Sequence, residues 1–240
     1  SLDKVPLLHH LMRVCPLPET QFEQLFVAIR SSLLKNLDDV EAFPELIYFL
    51  STLSIHCFTN EYVYIESDEE EYLVEELQTK ISQTIVKSKQ PEVIEMLCLA
   101  CYRPLHQYAW CQKLKSLDSL EEVKKRLIEE PLLEKVISIE IPALEEISDD
   151  VSLKVREQYE KNPYPRWVKL DVATEAKPIA TVIDELKLQL HVEELKNVSD
   201  PLILIAGCGT GQHSIGTASR ISNCQVTAVD LSLASLAYAQ

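Results

Sequence analysis

Glycine occurs at only four of 240 positions, Gly207, Gly209, Gly211 and Gly216, and all four fall within ten residues of one another. The whole chain before Gly207 lacks the one residue that reaches positive φ without steric cost. Tight hairpin turns depend on such residues, so the glycine-free region is expected to be helices joined by breaks marked with Pro and Asp. The clustered glycines mark a different structure near the C-terminal end.

Segment by segment, the first region fits helices. Thr20 and Glu23 have the spacing of a capping box, and Phe22, Leu25, Phe26, Ile29, Leu33 and Leu34 follow at helical intervals, predicting a helix to about Lys35. Residues 44–59 are apolar nearly all round, so that helix is expected at the centre. Ser67 and Glu70 form a second box and open an acidic first turn, which complements the helix dipole. The acidic run 66–76 is expected to be a solvated helix face. Further helices are predicted over 92–102, 105–114, 119–128 (with Ser119 and Glu122 as a third box), 132–139 and 151–161. No fixed-period repeat is visible, so residues 1–150 are expected to form one non-repetitive, all-α domain.

Composition narrows the function classes. The formal net charge is -15, which argues against a surface that tracks a phosphate backbone, so no nucleic-acid partner is expected. The longest apolar stretch, 46–58, contains Ser, Thr and His and is shorter than the ~20 residues a membrane span requires. Asp3, Lys4, His9 and His10 interrupt any secretory pattern at the start. No membrane partner is expected, and the cytoplasm is the default location.

Seven cysteines, at 15, 57, 98, 101, 111, 208 and 224, lie in apolar segments, and their odd number fits reduced, mostly buried thiols. Cys98, Cys101, His106 and Cys111 have the ligand types and spacing of a zinc knuckle. The segment lacks glycine for tight turns, and its neighbours Leu97, Leu99 and Ala100 suit a buried helix. Core cysteines are the preferred reading, and no metal is expected.

The pattern changes after Asn162. Pro163 and Pro165 enforce an extended run through Trp167, and residues 151–177 are expected to be a connecting helix followed by a Pro/Tyr-rich segment. Residues 178–195 return to helix. Residues 202–206 are a continuous apolar run, the pattern of a strand buried on both faces of a parallel sheet. A helix at 212–221, a second strand at 225–229 and a helix from about Ser232 complete a strand–helix–strand crossover. The chain starts at Ser1 and ends at Gln240 inside a predicted helix. It is therefore expected to be an internal piece of a longer protein, with residues 178–240 the first part of a larger domain.

The first strand runs into Gly207-Cys208-Gly209-Thr210-Gly211, and the second ends at Asp230, 19 residues after Gly211. A strand that ends in a glycine-rich turn opening a helix lets a ligand lie against bare backbone. An acid at the tip of the adjacent strand is placed to accept hydrogen bonds from a ribose diol. The dinucleotide fingerprint G-x-G-x-x-G would put its third glycine at 212, where Gln212 stands. The bland alternative is a ligand-free turn with a helix-capping Asp230.

Ala206 to Gln212 followed by Val226 to Ser232 resembles the first two motifs of class I S-adenosylmethionine-dependent methyltransferases, whose glycine loop has the form G-x-G-x-G. Asn60-Glu61-Tyr62-Val63 and the run Gln158 to Trp167 resemble the members that follow tetratricopeptide repeats in bacterial multidomain proteins. The resemblance implies an N-terminal helical domain followed by the start of a Rossmann-like methyltransferase sheet, with S-adenosylmethionine as cofactor. It implies that Gly207, Cys208, Gly209, Thr210 and Gly211 cradle the cofactor, that Asp230 takes its ribose hydroxyls and that Leu231 packs beside the adenine. Tyr159, Tyr164 and Trp167 are expected to face the sulfonium, although 162–167 serves equally as a stiff linker. Many class I members carry an acid two residues before the first glycine, where this chain has Ile205. His213 is expected to be a solvent-facing helix-start residue rather than a base. No catalytic residue is assigned, since the acceptor-binding groups of the family lie further along than Gln240, and this piece alone is expected to be inactive. The methyl acceptor is unidentified and is expected to be recruited by the helical domain or by repeats outside the chain. The alternatives are a helical protein-interaction module with a vestigial cofactor fold and, disfavoured by the glycine spacing, a nicotinamide-dependent oxidoreductase.

Overall fold

The computed structural model describes residues 5–114, 120–144, 148–186 and 194–240. Among the described residues the architecture is mainly α, with one two-stranded parallel sheet. The chain divides into two compact units, residues 1–133 and 134–240.

In the first unit, α1 (Pro6–Val14), α2 (Thr20–Lys35), α3 (Pro44–Thr59), α4 (Asp68–Val86) and α5 (Val93–Ala100) surround one apolar core. α3 is central, as its composition predicts: every residue from Phe49 to Thr59 is buried, and the helix packs against α1 and α5. Its hydroxyl residues are buried at no hydrogen-bonding loss. Ser51, Thr52 and Thr59 each donate to the carbonyl four residues back. The capping box of Ser67 and Glu70 is formed, the Glu70 carboxylate accepting the Ser67 amide at 3.0 Å and the Ser67 hydroxyl accepting the Glu70 amide at 3.3 Å. The box expected at Thr20 is not. Glu19 is the N-cap, and its carbonyl accepts from the amides of Phe22 and Glu23. The helix thus starts one residue too early for Thr20 to cap it.

The absence of glycine has a visible consequence. α3 and α4 both end in Schellman motifs, with Glu61 (φ 52°) and Ser88 (φ 57°) in the left-handed position that glycine normally takes. The paired bonds are Glu61 N–H to Phe58 O and Tyr62 N–H to Cys57 O, then Ser88 N–H to Ile85 O and Lys89 N–H to Thr84 O. The helix breaks therefore include left-handed residues that the sequence pattern did not foretell.

Beyond α5 two predictions are corrected. Residues 105–114 form two 3-10 turns, Leu105–Gln107 and Cys111–Lys113, instead of one helix. Tertiary contacts override the helical spacing there. The Tyr108 and Trp110 rings stack 4.7 Å apart, and the Trp110 indole donates to Ser82 on α4. The break expected between 128 and 132 is also absent. α6 (Glu121–Lys124) passes through a π-turn (Lys125–Glu129) into α7 (Glu130–Glu140), which contains Pro131. Proline cannot donate to the carbonyl four residues back and would clash with it. The wider π-turn just before Pro131 accommodates it. Ser119, the expected cap, lies outside the described residues.

The cysteines of the zinc-like spacing belong to this core. Cys98 on α5 and Cys101, which caps its C-terminus, are both buried. Burial pushes the Cys98 thiol up to about 12. A hydrogen bond with Cys57, then burial, raises Cys101 well above the usual thiol range. The ring of His106 meets Phe58 edge-on. Among the described residues no group of three or more His, Cys, Asp or Glu is arranged to hold a metal ion. Nor is any helix among them long and apolar enough to cross a membrane.

The second unit contains α8 (Asp150–Lys161), capped by Asp149 through the Ser152 amide, and α9 (Ile179–Glu185). Residues 187–193, within the helix predicted to Leu195, lie outside the described residues. β1 (Leu202–Ala206) and β2 (Gln225–Val229) pair in parallel, Leu202 opposite Gln225 and Ala206 opposite Val229, with α10 (Gln212–Arg220) between them in sequence. α11 (Leu233–Ala239) follows β2 and packs against α8. β1 is not buried on both faces. Ile205 is covered, whereas Leu202 and Leu204, which alternate with it, are 81% and 68% exposed. A continuous apolar run signals that both faces can be buried; which face is covered depends on neighbours that the run itself does not specify.

Candidate ligand site at the glycine turn

The turn after β1 is held by its own backbone and by the end of β2. The amides of Gly207 and Cys208 donate to the Val229 carbonyl at 2.8 and 3.1 Å, and Gly211 N–H donates to Cys208 O at 3.0 Å. Gly207, Gly209 and Gly211 have φ of 71°, 53° and 82°. In that region an L side chain costs about 1–2 kcal/mol, which is why three glycines are found together. Two of them also face open space, since a Cβ added at Gly207 or Gly209 would meet no atom within 4 Å. Gly211 is different: a Cβ there would come within 2.5 Å of Ala239 Cβ. Gly211 thus lets α11 close on the turn, while Gly207 and Gly209 leave a bare backbone face.

Asp230 lies at the end of β2 beside this face. Its Oδ2 accepts the Gly209 amide at 2.7 Å and its Oδ1 accepts the Ser232 amide at 3.0 Å. A carboxylate has about four acceptor positions, so lone pairs remain for a ligand. Cys208 is buried, and burial, followed by the Asp230 charge, pushes its thiol up.

Thr210 is also buried and is tied to the extended segment 162–167. Its hydroxyl donates to Pro165 O at 2.8 Å, and its carbonyl accepts from Trp167 Nε1 at 2.7 Å. Tyr238 of α11 donates to the Trp167 carbonyl and meets the indole edge-on at 5.4 Å. Arg166 lies over the Tyr238 ring and pairs with Glu134. At the end of α8, Glu160 accepts from the Ser232 hydroxyl at 3.0 Å and the Ala234 amide at 3.2 Å, joining Ser232 at the start of α11.

The structure brings Gly207, Cys208, Gly209, Thr210, Gly211 and Asp230 together, with Trp167 bonded to the turn. Tyr159 and Tyr164 are 41% and 49% exposed, and the contacts from their segment to the turn run through Pro165 and Trp167. Leu231 is half-exposed, and His213 is exposed in the first turn of α10. Glu160, Pro165, Ser232 and Tyr238 enter the site without any signal in the glycine motif. Comparison with protein-family models, with curated proteins and with solved structures finds no match to this chain.

Proposed function

We propose that residues 178–240 are the opening of a Rossmann-like S-adenosylmethionine-binding domain, and that the protein is a methyltransferase acting in the cytoplasm on an acceptor yet to be identified. The observation that carries the reading is the bare, left-handed backbone at Gly207 and Gly209 with the Asp230 carboxylate directly beside it. The amides of Gly207, Cys208, Gly209 and Gly211 are all committed within the protein, so the turn keeps its shape without a ligand. The glycine spacing counts against the nicotinamide alternative.

The donor set fits the cofactor. Gly207 and Gly209 would line it with backbone, and Asp230 would accept from its ribose hydroxyls while still holding Gly209. Leu231 would offer apolar surface to the base. The cofactor supplies an electrophilic methyl on a sulfonium. The residues present here bind and orient, and alignment of two bound reactants is itself a large part of such catalysis.

The test is a calorimetric titration of the chain with S-adenosylmethionine, beside an Asp230→Ala variant and an NADH control. Saturable binding that the substitution weakens, without binding of NADH, supports the reading. Absence of binding by the natural full-length protein would favour the alternative of a helical interaction module with a vestigial cofactor fold.

A further inference from the structure

The extended segment 162–167 and the glycine turn exchange hydrogen bonds in both directions. Trp167 Nε1 donates to the carbonyl of Thr210 at 2.7 Å, and the Thr210 hydroxyl donates to the carbonyl of Pro165 at 2.8 Å. Thr210 therefore has its side chain and its carbonyl fixed by two residues of one short segment. Its neighbours in the chain are Gly209 and Gly211, both left-handed. Glycine resists rotation less than any other residue, so a residue between two glycines depends on outside contacts for its orientation. Trp167 is held in turn from its other side. Tyr238 donates to its carbonyl, and the two rings meet at 88°, a favoured aromatic geometry.

We propose that Trp167 is a positioning residue for ligand binding: acting through Thr210, its indole N–H sets the glycine turn in the shape that exposes Gly207 and Gly209. The proposal rests on the cofactor reading of that turn. It makes the Pro/Tyr segment part of the binding apparatus in addition to a connector, and it assigns the work to Trp167 rather than to the exposed Tyr159 and Tyr164. The bond spans 43 positions in sequence, so it also couples the entry to this unit with its sheet.

The chain has two tryptophans, Trp110 and Trp167, which provides a spectroscopic readout. Trp110→Phe keeps an aromatic ring against Tyr108 and leaves Trp167 as the sole tryptophan, which excitation at the red edge selects over the tyrosines. In that variant, S-adenosylmethionine added to the full chain is expected to shift the Trp167 emission saturably, with the same midpoint that calorimetry gives. Trp167→Phe keeps a ring against Tyr238 but loses the donor, and its affinity is expected to fall on the order of tenfold, the scale of one lost hydrogen bond. Thr210→Val should lose as much, and Thr210→Ser should restore binding because its hydroxyl still reaches Pro165. If the natural chain binds and Trp167→Phe binds equally well, or if saturating ligand leaves Trp167 emission unchanged, the positioning role is overturned and the cofactor reading stands. If the natural full-length protein binds no S-adenosylmethionine, both fall. Should Trp167→Phe fail to fold, the Trp167 emission of the Trp110→Phe chain decides: no shift at saturating ligand overturns the proposal.

Discussion

The carboxylate of Asp230 and the amide of Gly209 are bonded at 2.7 Å, so the residue expected to receive a ribose also fixes the turn that would receive the rest of the ligand. With Oδ1 on the Ser232 amide, both oxygens of Asp230 face donors.

This geometry distinguishes two substitutions. Asp230→Ala removes both acceptors. Asp230→Asn keeps the shape but turns one atom into a donor aimed at an N–H, leaving that amide unpaired at a cost of about 1–3 kcal/mol. Both variants should therefore lose affinity for S-adenosylmethionine by tenfold or more. Asparagine binding as well as aspartate in calorimetry would mean that the loop does not depend on the carboxylate.

Gly209 and Gly211 are expected to respond differently to the same methyl group. Gly209→Ala meets only the backbone strain of its left-handed conformation, about 1–2 kcal/mol, because nothing lies near its Cβ direction. Gly211→Ala adds a collision with Ala239 at 2.5 Å, and overpacking of that kind costs about 1–3 kcal/mol more. Thermal unfolding should rank natural chain, Gly209→Ala, Gly211→Ala in falling order. Ligand affinity should fall in Gly209→Ala even where its fold is retained, since the new methyl enters the bare face.

Ser88 is in the left-handed position of the motif that ends α4, at φ 57°. Glycine there would relieve about 1–2 kcal/mol of strain and return about 0.5–1 kcal/mol in chain entropy. Ser88→Gly is expected to stabilise the first unit by about 0.5–1 kcal/mol in urea unfolding. A destabilised variant would show that the Ser88 side chain contributes more than its backbone strain costs.

The limits of the sequence pattern follow from the range of the interactions involved. The helix at 44–59 and the strands at 202–206 and 225–229 agree residue for residue with expectation, because each is set by its own composition. The glycine turn and Asp230 were legible for a similar reason: both belong to one strand–helix–strand unit. Pro165, Glu160 and Tyr238 reach the site across 45, 72 and 71 positions, and no periodic pattern encodes such pairs. The 3-10 turns at 105–113 were hidden because the Trp110–Ser82 bond and the Tyr108–Trp110 stack compete with helical spacing. The continuous helix through Pro131 was hidden because a π-turn leaves no compositional mark.

His56 is expected to make the stability of the first unit pH-dependent. Its Nδ1 lies 2.9 Å from the Met12 carbonyl, which can only accept, so Nδ1 carries the proton. Its Nε2 then accepts from the Tyr64 hydroxyl at 2.7 Å and from Asn60 at 3.1 Å. The Phe26 ring meets it edge-on at 5.0 Å, and the Arg30 guanidinium stands over the Tyr64 ring beyond it. A neutral imidazole is satisfied there, and the Tyr64 oxygen could accept a second proton on Nε2 only after its own hydroxyl proton had turned away. Burial, outweighing the Met12 bond, lowers the His56 pKa from 6.5. The unfolded chain therefore binds this proton at a higher pH than the folded one. The stabilisation is complete above about pH 6.5 and declines as pH falls below it, by at most about 1.4 kcal/mol per unit. Urea unfolding is expected to show less stability at pH 5.5 than at pH 7.5. His56→Gln should be less stable at pH 7.5 and lose part of that difference. If the variant keeps the whole of it, the pH dependence belongs to another group.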